Sequence, residues 1–491
     1  MSQVDRRTVL KAGALAVFAS PFAGLLNAPA LAAPADAGSW APPFDLGGIA
    51  VHAMLTHTGD VLFFQYVEGR PANDHTSYVA TWNYLTGAKK EAPFGYDRDT
   101  FCAGNNFLPD GRLYIAGGHD HGTGKRLDAV GVAECDIYDP TTRAWVPRPL
   151  LTEKRWYPTN VGLANGKTLI FGGWERLGYN STTLDQYDPA TNTMTRLPRS
   201  ATRDVGNYPR MHLLPTGQLV KTGTARQSAF FDPTTNKWTN TASMLHGARK
   251  FGSSVLLHGC QKVLALGGKS TESSPATASV EILDTAAATP TWRNLPPMNN
   301  ARLNANSVNL PDGQVLVVGG NLTKTETGPI KTPELFNPTT ETWTSLAPQQ
   351  VSRMYHSTAL LLPDGTVFSA SGENPNEPEQ TTAEIFSPPY LFRGARPTIT
   401  TAPATIGYGR SMTIKTPEAA DIAKVTLIKA SAVTHQIDSD QRSVPLDFTR
   451  SAGTLTATAP GSANLAPPGY YMLFVVNNDG VPSKAPWIRI A

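Results

Sequence analysis

One short pattern recurs along the chain about every 50 residues and restricts the folds open to it. In its clearest copy, a turn at Asp110-Gly111 precedes an apolar stretch that ends in Gly117-Gly118, and Tyr138-Asp139-Pro140 and Trp145 follow. The Asp-Gly turn favours a hairpin, and the di-glycine allows positive φ angles or close backbone packing. The di-glycine recurs at Gly172-Gly173, Gly267-Gly268 and Gly319-Gly320, with degenerate copies at Thr222-Gly223 and Ser371-Gly372. The pattern predicts a repeated four-stranded sheet, the blade of a β-propeller.

The number of units sets the number of blades. A weaker first unit runs from about Val51 to Phe94, and with it the pattern predicts seven blades over residues 46–395. Six blades are the alternative if that unit is only a closing strand. Over residues 396–491 the di-glycines stop, and strands such as Lys424–Ile428 and Tyr470–Val476 take their place. The predicted fold class is therefore all-β: a seven-bladed kelch-type β-propeller followed by an immunoglobulin-like β-sandwich.

Composition restricts the class of partner. The 491 residues include 42 Lys and Arg against 39 Asp and Glu, a formal net charge of +3. So small an excess gives no electrostatic reason to expect a nucleic-acid partner. Charged residues make up only 16%, whereas 42 glycines and 40 prolines suit short strands joined by tight turns.

The first residues have the pattern of an export signal. Arg6-Arg7 is followed by an apolar stretch, Ala12–Leu26, and by the small-residue motif Ala30-Leu31-Ala32. We expect residues 1–33 to be a cleaved twin-arginine signal peptide and the mature protein to be periplasmic or secreted. A membrane anchor is the alternative, but Ser20-Pro21 interrupts the apolar stretch. No other segment is long and apolar enough to suggest membrane insertion after cleavage.

Four short fragments offer chemistry that the repeats do not need. They are Phe101-Cys102-Ala103-Gly104, Arg155-Trp156-Tyr157-Pro158, Arg353-Met354-Tyr355-His356-Ser357 and Val433-Thr434-His435-Gln436. Two imidazoles with phenolate oxygens suit Cu(II), which favours tetragonal nitrogen and oxygen ligation. A cysteine beside a tyrosine could modify its ring. Copper and a tyrosyl ring can each hold one oxidising equivalent, which is what a one-metal, two-electron oxidase requires.

With these fragments in this order, the chain resembles the copper radical oxidases, the galactose oxidase and glyoxal oxidase family, over nearly its whole mature length. The form Arg155-Trp156-Tyr157-Pro158 is typical of the glyoxal oxidase branch. The resemblance implies a thioether between Cys102 and Tyr157, the latter being the radical and a copper ligand. It implies an axial copper ligand at Tyr355 and two equatorial histidine ligands, His356 and His435. The C-terminal domain would send His435 into the propeller.

The resemblance also implies a reaction. Tyr355 would act as general base on the hydroxyl of an alcohol or an aldehyde hydrate, and the Tyr157 radical would take a hydrogen atom from carbon. Dioxygen would reoxidise the site and leave as H2O2. We expect a monomer whose partners are O2 and a small aldehyde or primary alcohol, with a terminal group on an envelope glycan also open. The competing interpretation is a non-catalytic kelch propeller that binds a partner at the cell envelope.

Each residue also has a structural interpretation. Cys102 could be a core thiol, Tyr157 a packing aromatic, Tyr355-His356 a structural pair and His435 a surface histidine of the sandwich. Adjacent strand residues normally point to opposite faces, so Tyr355 and His356 can reach one metal only from irregular backbone.

Two tryptophans and two histidines each have two interpretations. Trp156 and Trp174 are predicted to wall the substrate pocket, with blade packing equally open. Trp174 also lies one position earlier than a tryptophan of the galactose oxidase branch. For His119 and His121 we favour exposed loop positions, with the pocket rim as the alternative. No disulfide is expected between Cys135 and Cys260.

Overall fold

The structure, a computed structural model, describes residues 33–65, 76–120, 130–323, 327–374 and 380–491. The predicted signal peptide, apart from Ala33, and His121 lie outside the described residues. Helix within the described residues is limited to one α-helical turn and three 3-10 turns: Pro34–Ala37, Arg199–Ala201, Pro389–Phe392 and Ala419–Asp421. None of these is long and apolar enough to cross a membrane.

Seven antiparallel sheets, numbered blades 1 to 7 in chain order, form a propeller. From the inside outward, the strands of blade 1 are His52–Leu55, Asp60–Gln65, Tyr78–Asn83 and Lys89–Glu91. Those of blade 2 are Gly104–Phe107, Leu113–Ala116, Cys135–Asp139 and Ala144–Arg148, and those of blade 3 are Thr159–Gly162, Thr168–Phe171, Asp185–Asp188 and Thr193–Arg196. Those of blade 4 are Met211–Leu213, Leu219–Lys221, Gln227–Asp232 and Lys237–Ser243.

The remaining blades follow the same plan. The strands of blade 5 are Ser253–Leu256, Lys262–Leu266, Val280–Asp284 and Trp292–Leu295, and those of blade 6 are Asn306–Asn309, Val315–Val318, Glu334–Asn337 and Thr342–Ser345. Blade 7 consists of Thr358–Leu361, Val367–Ala370 and Thr382–Ser387, completed on its outer edge by Ser39–Trp40 and Phe44–Asp45. The innermost strands of neighbouring blades contact one another, for example those of blades 2 and 3, of blades 6 and 7, and of blades 7 and 1.

The predicted fold class is confirmed, and the six-blade alternative is wrong because the weak first unit forms a complete sheet. Closure comes from the N-terminal segment, where Ser39 pairs with Ser387 and Trp40 with Phe386. These strands lie before residue 46, where the sequence analysis starts the propeller. Two-residue strands have no readable periodicity, so no sequence pattern marks them.

Both faces of each blade are covered, which explains the apolar second strands. Val315–Val318 is buried throughout, as expected for a strand between two packed sheets. The recurring tryptophan reaches the preceding blade: the indole N–H of Trp145 donates to the carbonyl of Ala92 at 2.8 Å, and that of Trp238 to Ala201 at 2.8 Å. The recurring tryptophans therefore link neighbouring blades.

A buried ion pair stabilises five of the blades. In each, an arginine donates to the carbonyl of the first residue of the di-glycine or its equivalent, and it pairs with a carboxylate on the third strand. The pairing is needed because an unpaired buried charge would strongly destabilise the fold. The pairs are Arg98–Asp136, Arg155–Asp185, Arg249–Glu281, Arg302–Glu334 and Arg353–Glu384.

The C-terminal domain is a sandwich of two sheets. One contains Thr405–Ile406, Trp487–Ile490, Gly469–Asn477, Ile422–Lys429 and Ser443–Leu446, and the other contains Ser411–Lys415, Thr454–Thr458 and Phe448–Ser451. Its alternating strands bury every second residue, as Ser411–Lys415 does.

A hairpin leaves this sandwich and enters the propeller. Its strands are Ala432–Thr434 and Ile437–Asp438, and we call residues 432–438 the axial hairpin. It pairs with the innermost strand of blade 1, with Thr434 opposite His52, and also contacts the innermost strands of blades 2, 5 and 7. The axial hairpin therefore lies on the propeller axis, with His435 at its turn.

The chain that follows the di-glycines of blades 2 and 3 forms a further small sheet. Its strands are His119–Asp120, Val130–Gly131, Trp174–Arg176 and Tyr179–Asn180. Trp156, which precedes blade 3, is bridged to Trp174, so this sheet lies beside the fragment Arg155–Pro158.

Candidate active site

One backbone feature positions the candidate site. Just before its innermost strand, each of blades 2 to 7 has a non-glycine residue with positive φ, a conformation that such residues rarely adopt. These residues are Cys102 (φ 56°), Tyr157 (65°), Tyr208 (41°), Phe251 (57°), Asn304 (59°) and His356 (60°). At the turn of the axial hairpin, His435 (47°) and Gln436 (63°) share this conformation.

Backbone hydrogen bonds link these left-handed residues around the axis. The N–H of Tyr157 donates to the carbonyl of Cys102 at 3.0 Å, and the N–H of Tyr208 to that of Tyr157 at 2.8 Å. Because the chain is not extended at His356, its side chain and that of Tyr355 come together, with ring centroids 3.9 Å apart. This is the irregular backbone that the sequence analysis requires for the pair.

The predicted copper-binding and radical residues converge at this point. The hydroxyls of Tyr157 and Tyr355 are 3.3 Å apart, and Cys102 Sγ is 3.4 Å from His435 Nε2. One potential ligand atom from each of Cys102, His356 and His435 lies within 4.8 Å of the others. The structure therefore brings one thiol, two imidazoles and two phenols together from four distant fragments.

Each histidine has one ring nitrogen fixed by a neighbour. His356 Nδ1 is hydrogen-bonded to the carboxylate of Glu373, whereas its buried Nε2 has no hydrogen-bond partner. His435 Nδ1 lies 2.6 Å from Thr434 Oγ1, whose hydroxyl donates to the carbonyl of Val51 at 3.0 Å. Thr434 Oγ1 must therefore accept from His435 Nδ1. Glu373 likewise accepts at His356 Nδ1, so Nε2 is the nitrogen of each ring that remains to ligate a metal.

Burial disfavours the charged forms of three side chains at the site, those of His435, Cys102 and Tyr157. Burial, aided by His356, His52 and Arg210, holds the pKa of His435 well below its usual range. Burial also raises the pKa of the Cys102 thiol and, with Cys102 and Tyr355 as neighbours, that of the Tyr157 phenol. A bound cation reverses such shifts for phenols and thiols. Two imidazoles that can each present Nε2, beside two phenols, are a donor set that fits Cu(II), which favours tetragonal nitrogen and oxygen ligation.

The open side of the site is aromatic. The side chains there are half-buried: Phe101, Trp156, Tyr157, Trp174, Tyr355 and Glu373. The Trp156 ring lies 4.6 Å from that of Tyr157 and 5.4 Å from that of Trp174. Both predicted wall residues therefore lie beside Tyr157, with the Trp174 ring 6.0 Å from the Tyr157 ring.

The favoured exposed position for His119 is wrong. Its side chain is buried, and its ring centroid is 4.2 Å from that of Trp156. The small sheet formed after blades 2 and 3 places His119 against Trp156. A position at the pocket rim, the alternative, stays a prediction. Its partner in the sequence motif, His121, lies outside the described residues.

Sequence reasoning missed three residues. The Tyr208 ring is 4.8 Å from that of His435, and its hydroxyl donates to the carbonyl of Ala103 at 2.9 Å. A signal existed, because Tyr208-Pro209 repeats Tyr157-Pro158 before the next blade. The Arg210 guanidinium donates to the carbonyl of Tyr208 at 2.7 Å and lies 3.5 Å from that of His435. Burial lowers its pKa to about 10. Glu373, the third, follows a degenerate di-glycine and had no signal.

His52 also lies near the site, although its sequence context looked unremarkable. It is fully buried, its Nδ1 is 3.0 Å from Asn105 Oδ1, and burial lowers its pKa to about 3. The three cysteines are free thiols, all of them buried.

The chain is similar in sequence to two family models and to several known proteins. The family model described as Glyoxal oxidase N-terminus matches residues 68–390, and the Galactose oxidase-like, Early set domain matches residues 396–490. A galactose oxidase of Gibberella zeae is 27% identical, over 92% of this chain and 70% of that protein. An aldehyde oxidase GLOX of Vitis pseudoreticulata is 31% identical, over 80% of this chain and 82% of that protein.

A solved structure is similar over nearly the whole chain. It is that of a fungal alcohol oxidase of the AA5 family in complex with copper, with a TM-score of 0.82 and 26% sequence identity. The similarity covers 93% of this chain and 100% of that one.

Proposed function

The chain belongs to the galactose oxidase and glyoxal oxidase family of copper radical oxidases, and on this premise we propose that it oxidises aldehydes, as hydrates, or primary alcohols. Each turnover removes two electrons and two protons from the substrate and transfers them to O2, which leaves as H2O2. The observation that carries the proposal is the convergence of the histidine, tyrosine and cysteine side chains around one point.

We assign the ligands as follows. His356 and His435 would hold copper through Nε2, and Tyr157 and Tyr355 through their phenol oxygens. The free buried Nε2 of His356 supports this assignment. Copper supplies an acceptor for one electron and makes the hydroxyl of a bound substrate more acidic.

Two tyrosines carry the steps that belong to the chain. Tyr355 Oη takes the proton from the substrate hydroxyl as general base, for which its half-buried position toward the open side is suitable. The oxidised ring of Tyr157 takes the hydrogen atom from the substrate carbon. Their hydroxyls are 3.3 Å apart, so one small substrate can reach both.

A thioether would prepare Tyr157 for this role. Cys102 Sγ forms a bond to a ring carbon beside the Tyr157 hydroxyl, the S–H and C–H bonds break, and O2 takes the two hydrogens as H2O2. Two observations support this step: the backbone hydrogen bond from Tyr157 to Cys102, and the full burial of Cys102. The cross-link would fix the ring and lower the potential at which it is oxidised.

The aromatic walls indicate the substrate class. Trp156 and Trp174 give the open side flat apolar surfaces suited to a small aldehyde or alcohol. A terminal group on an envelope glycan is the larger alternative. We further propose that the protein is exported by the twin-arginine route and works as a monomer outside the cytoplasm.

The test is peroxide release from protein loaded with Cu(II) in air and supplied with glyoxal, methylglyoxal, simple primary alcohols and galactose. We expect one stoichiometric copper and peroxide release with at least one small aldehyde or alcohol. Protein that binds no copper and releases no peroxide would instead support the non-catalytic kelch interpretation.

A further inference from the structure

Glu373 contacts a predicted copper ligand and the solvent at the same time. Its carboxylate accepts the hydrogen bond from His356 Nδ1, and its backbone N–H donates to the carbonyl of Tyr355 at 2.8 Å. The Glu373 side chain is 45% exposed, whereas that of His356 is 5% exposed. The carboxylate therefore connects a buried imidazole to the open side of the site.

The two histidines have different acceptors. His435 donates to a neutral hydroxyl, that of Thr434, inside the buried axial hairpin. His356 donates to a carboxylate, which holds the tautomer and makes the imidazole a stronger electron donor to a metal. The site is thus asymmetric, with a fixed negative charge behind only one of its histidines.

That charge also faces the approach to the site. In the described parts of the chain, the Glu373 carboxylate forms no ion pair with a lysine or arginine. The neighbouring walls, Phe101, Trp156 and Trp174, are uncharged. A substrate that carries a carboxylate would therefore meet, close to the reacting atoms, a like charge that no lysine or arginine among the described residues pairs with.

We propose that Glu373 is a positioning residue for His356, and that its charge makes the site select uncharged aldehyde hydrates and alcohols over substrates that carry a carboxylate. The inference rests on the proposed function, because it concerns the same site. Glu373 itself exchanges no proton or electron with the substrate.

The positioning role is tested by Cu(II) binding to the apoprotein in competition with a chelator. Glu373→Ala removes the acceptor, and we expect the copper dissociation constant to rise by about 10- to 100-fold, with a changed Cu(II) EPR hyperfine splitting. Glu175→Gln, which removes an exposed carboxylate beside Trp174, is the matched control and should bind as the wild type does. Unchanged affinity and spectrum in Glu373→Ala would overturn this role.

The charge effect is tested with acetate as the probe, bound to copper-loaded protein and followed by its spectral shift. Glu373→Gln keeps an acceptor for His356 but removes the charge, and should bind acetate roughly tenfold more tightly than the wild type. Glu175→Gln should differ from the wild type by less than about twofold, as an exposed screened charge does. Equal acetate affinity in Glu373→Gln and wild type would overturn the charge effect. A wild type that binds no copper would instead contradict the proposed function.

Discussion

Blades 2, 3 and 7 and blades 4, 5 and 6 share one backbone feature but carry different side chains on it. In all six a left-handed residue precedes the innermost strand. In the first group this residue is a thiol, a phenol or an imidazole of the proposed copper site. In the second group, Tyr208 packs beside the site, whereas Phe251 and Asn304 are hydrogen-bonded to each other through the backbone and are not among the predicted ligands.

The difference teaches that the propeller supplies the geometry and the side chains supply the chemistry. The buried arginine pair likewise occurs in both groups: in blade 7, which carries a predicted ligand (Arg353–Glu384), and in blade 6, which carries none (Arg302–Glu334). Backbone strain at these positions costs on the order of 1–3 kcal/mol each and persists because the packed blades determine it. Substitutions can therefore be chosen that change copper binding and activity without changing stability, or the reverse.

The largest expected effect comes from exchanging residues between the two groups. His356→Asn keeps a residue that tolerates positive φ but removes the imidazole, so we expect loss of bound copper and at least about a thousandfold loss of peroxide release. The converse change, Asn304→His, places an imidazole on blade 6 and should leave copper content unchanged. Metal analysis and the peroxide assay measure both. Full copper occupancy in His356→Asn would contradict the assignment of blade 7 to the copper site.

The next effect concerns the thiol of blade 2. Cys102→Ser preserves the size and the backbone but cannot form a thioether, so activity should fall by about a hundredfold or more while copper still binds. Cys135→Ser, in the third strand of the same blade, is the control for loss of a buried thiol and should keep the cross-link. A Cys102→Ser protein with full activity would rule out the radical role of the pair.

A substitution in blade 6 should lower the stability of the protein without changing copper binding. Arg302→Ala leaves Glu334 buried and unpaired, which we expect to lower the free energy of unfolding by about 3–5 kcal/mol, while the folded protein still binds copper. Arg293→Ala removes an exposed pair with Glu341 and should cost less than about 1 kcal/mol. Denaturant unfolding compares the two. Equal losses would contradict the structural role assigned to the buried pairs.

The smallest effect is expected at Tyr208, the left-handed residue of blade 4. Tyr208→Phe keeps the ring beside His435 and loses only the hydrogen bond to the carbonyl of Ala103, so stability should fall by about 1 kcal/mol. Copper content and the tyrosyl radical signal should remain. Loss of the radical signal in this variant would mean that Tyr208, and not only Tyr157, takes part in the chemistry.

Much of the fold could be predicted because the motifs that mark the ends of its strands are local in sequence. Asp-Gly turns, di-glycines and the tryptophan that follows them recur at a regular spacing, so the blades could be counted. The buried ion pairs could not, since each arginine and its carboxylate lie 30 or more residues apart and no local pattern links the two. The closing strand Ser39–Trp40 was missed for a different reason, because two residues are too few for a pattern.

The candidate site could be predicted only where residue type and context coincide. Cys102, Tyr157, Tyr355, His356 and His435 lie in recognisable fragments, and the structure places them together; their roles as ligands stay predictions. Glu373 lies in a loop with no pattern, and its role depends on a tertiary contact with His356. His119 was assigned to the exterior because a sheet formed by two separate loops leaves no continuous signal.

The most direct test of the central claim is the intact mass of the protein after exposure to Cu(II) and air, compared with the apoprotein. The account predicts a loss of two hydrogens, mapped by peptide analysis to a bond between Cys102 and Tyr157. An unchanged mass with copper bound through the Cys102 thiol would contradict it, because a Cys-His-His site of that kind suits electron transfer rather than a tyrosyl radical.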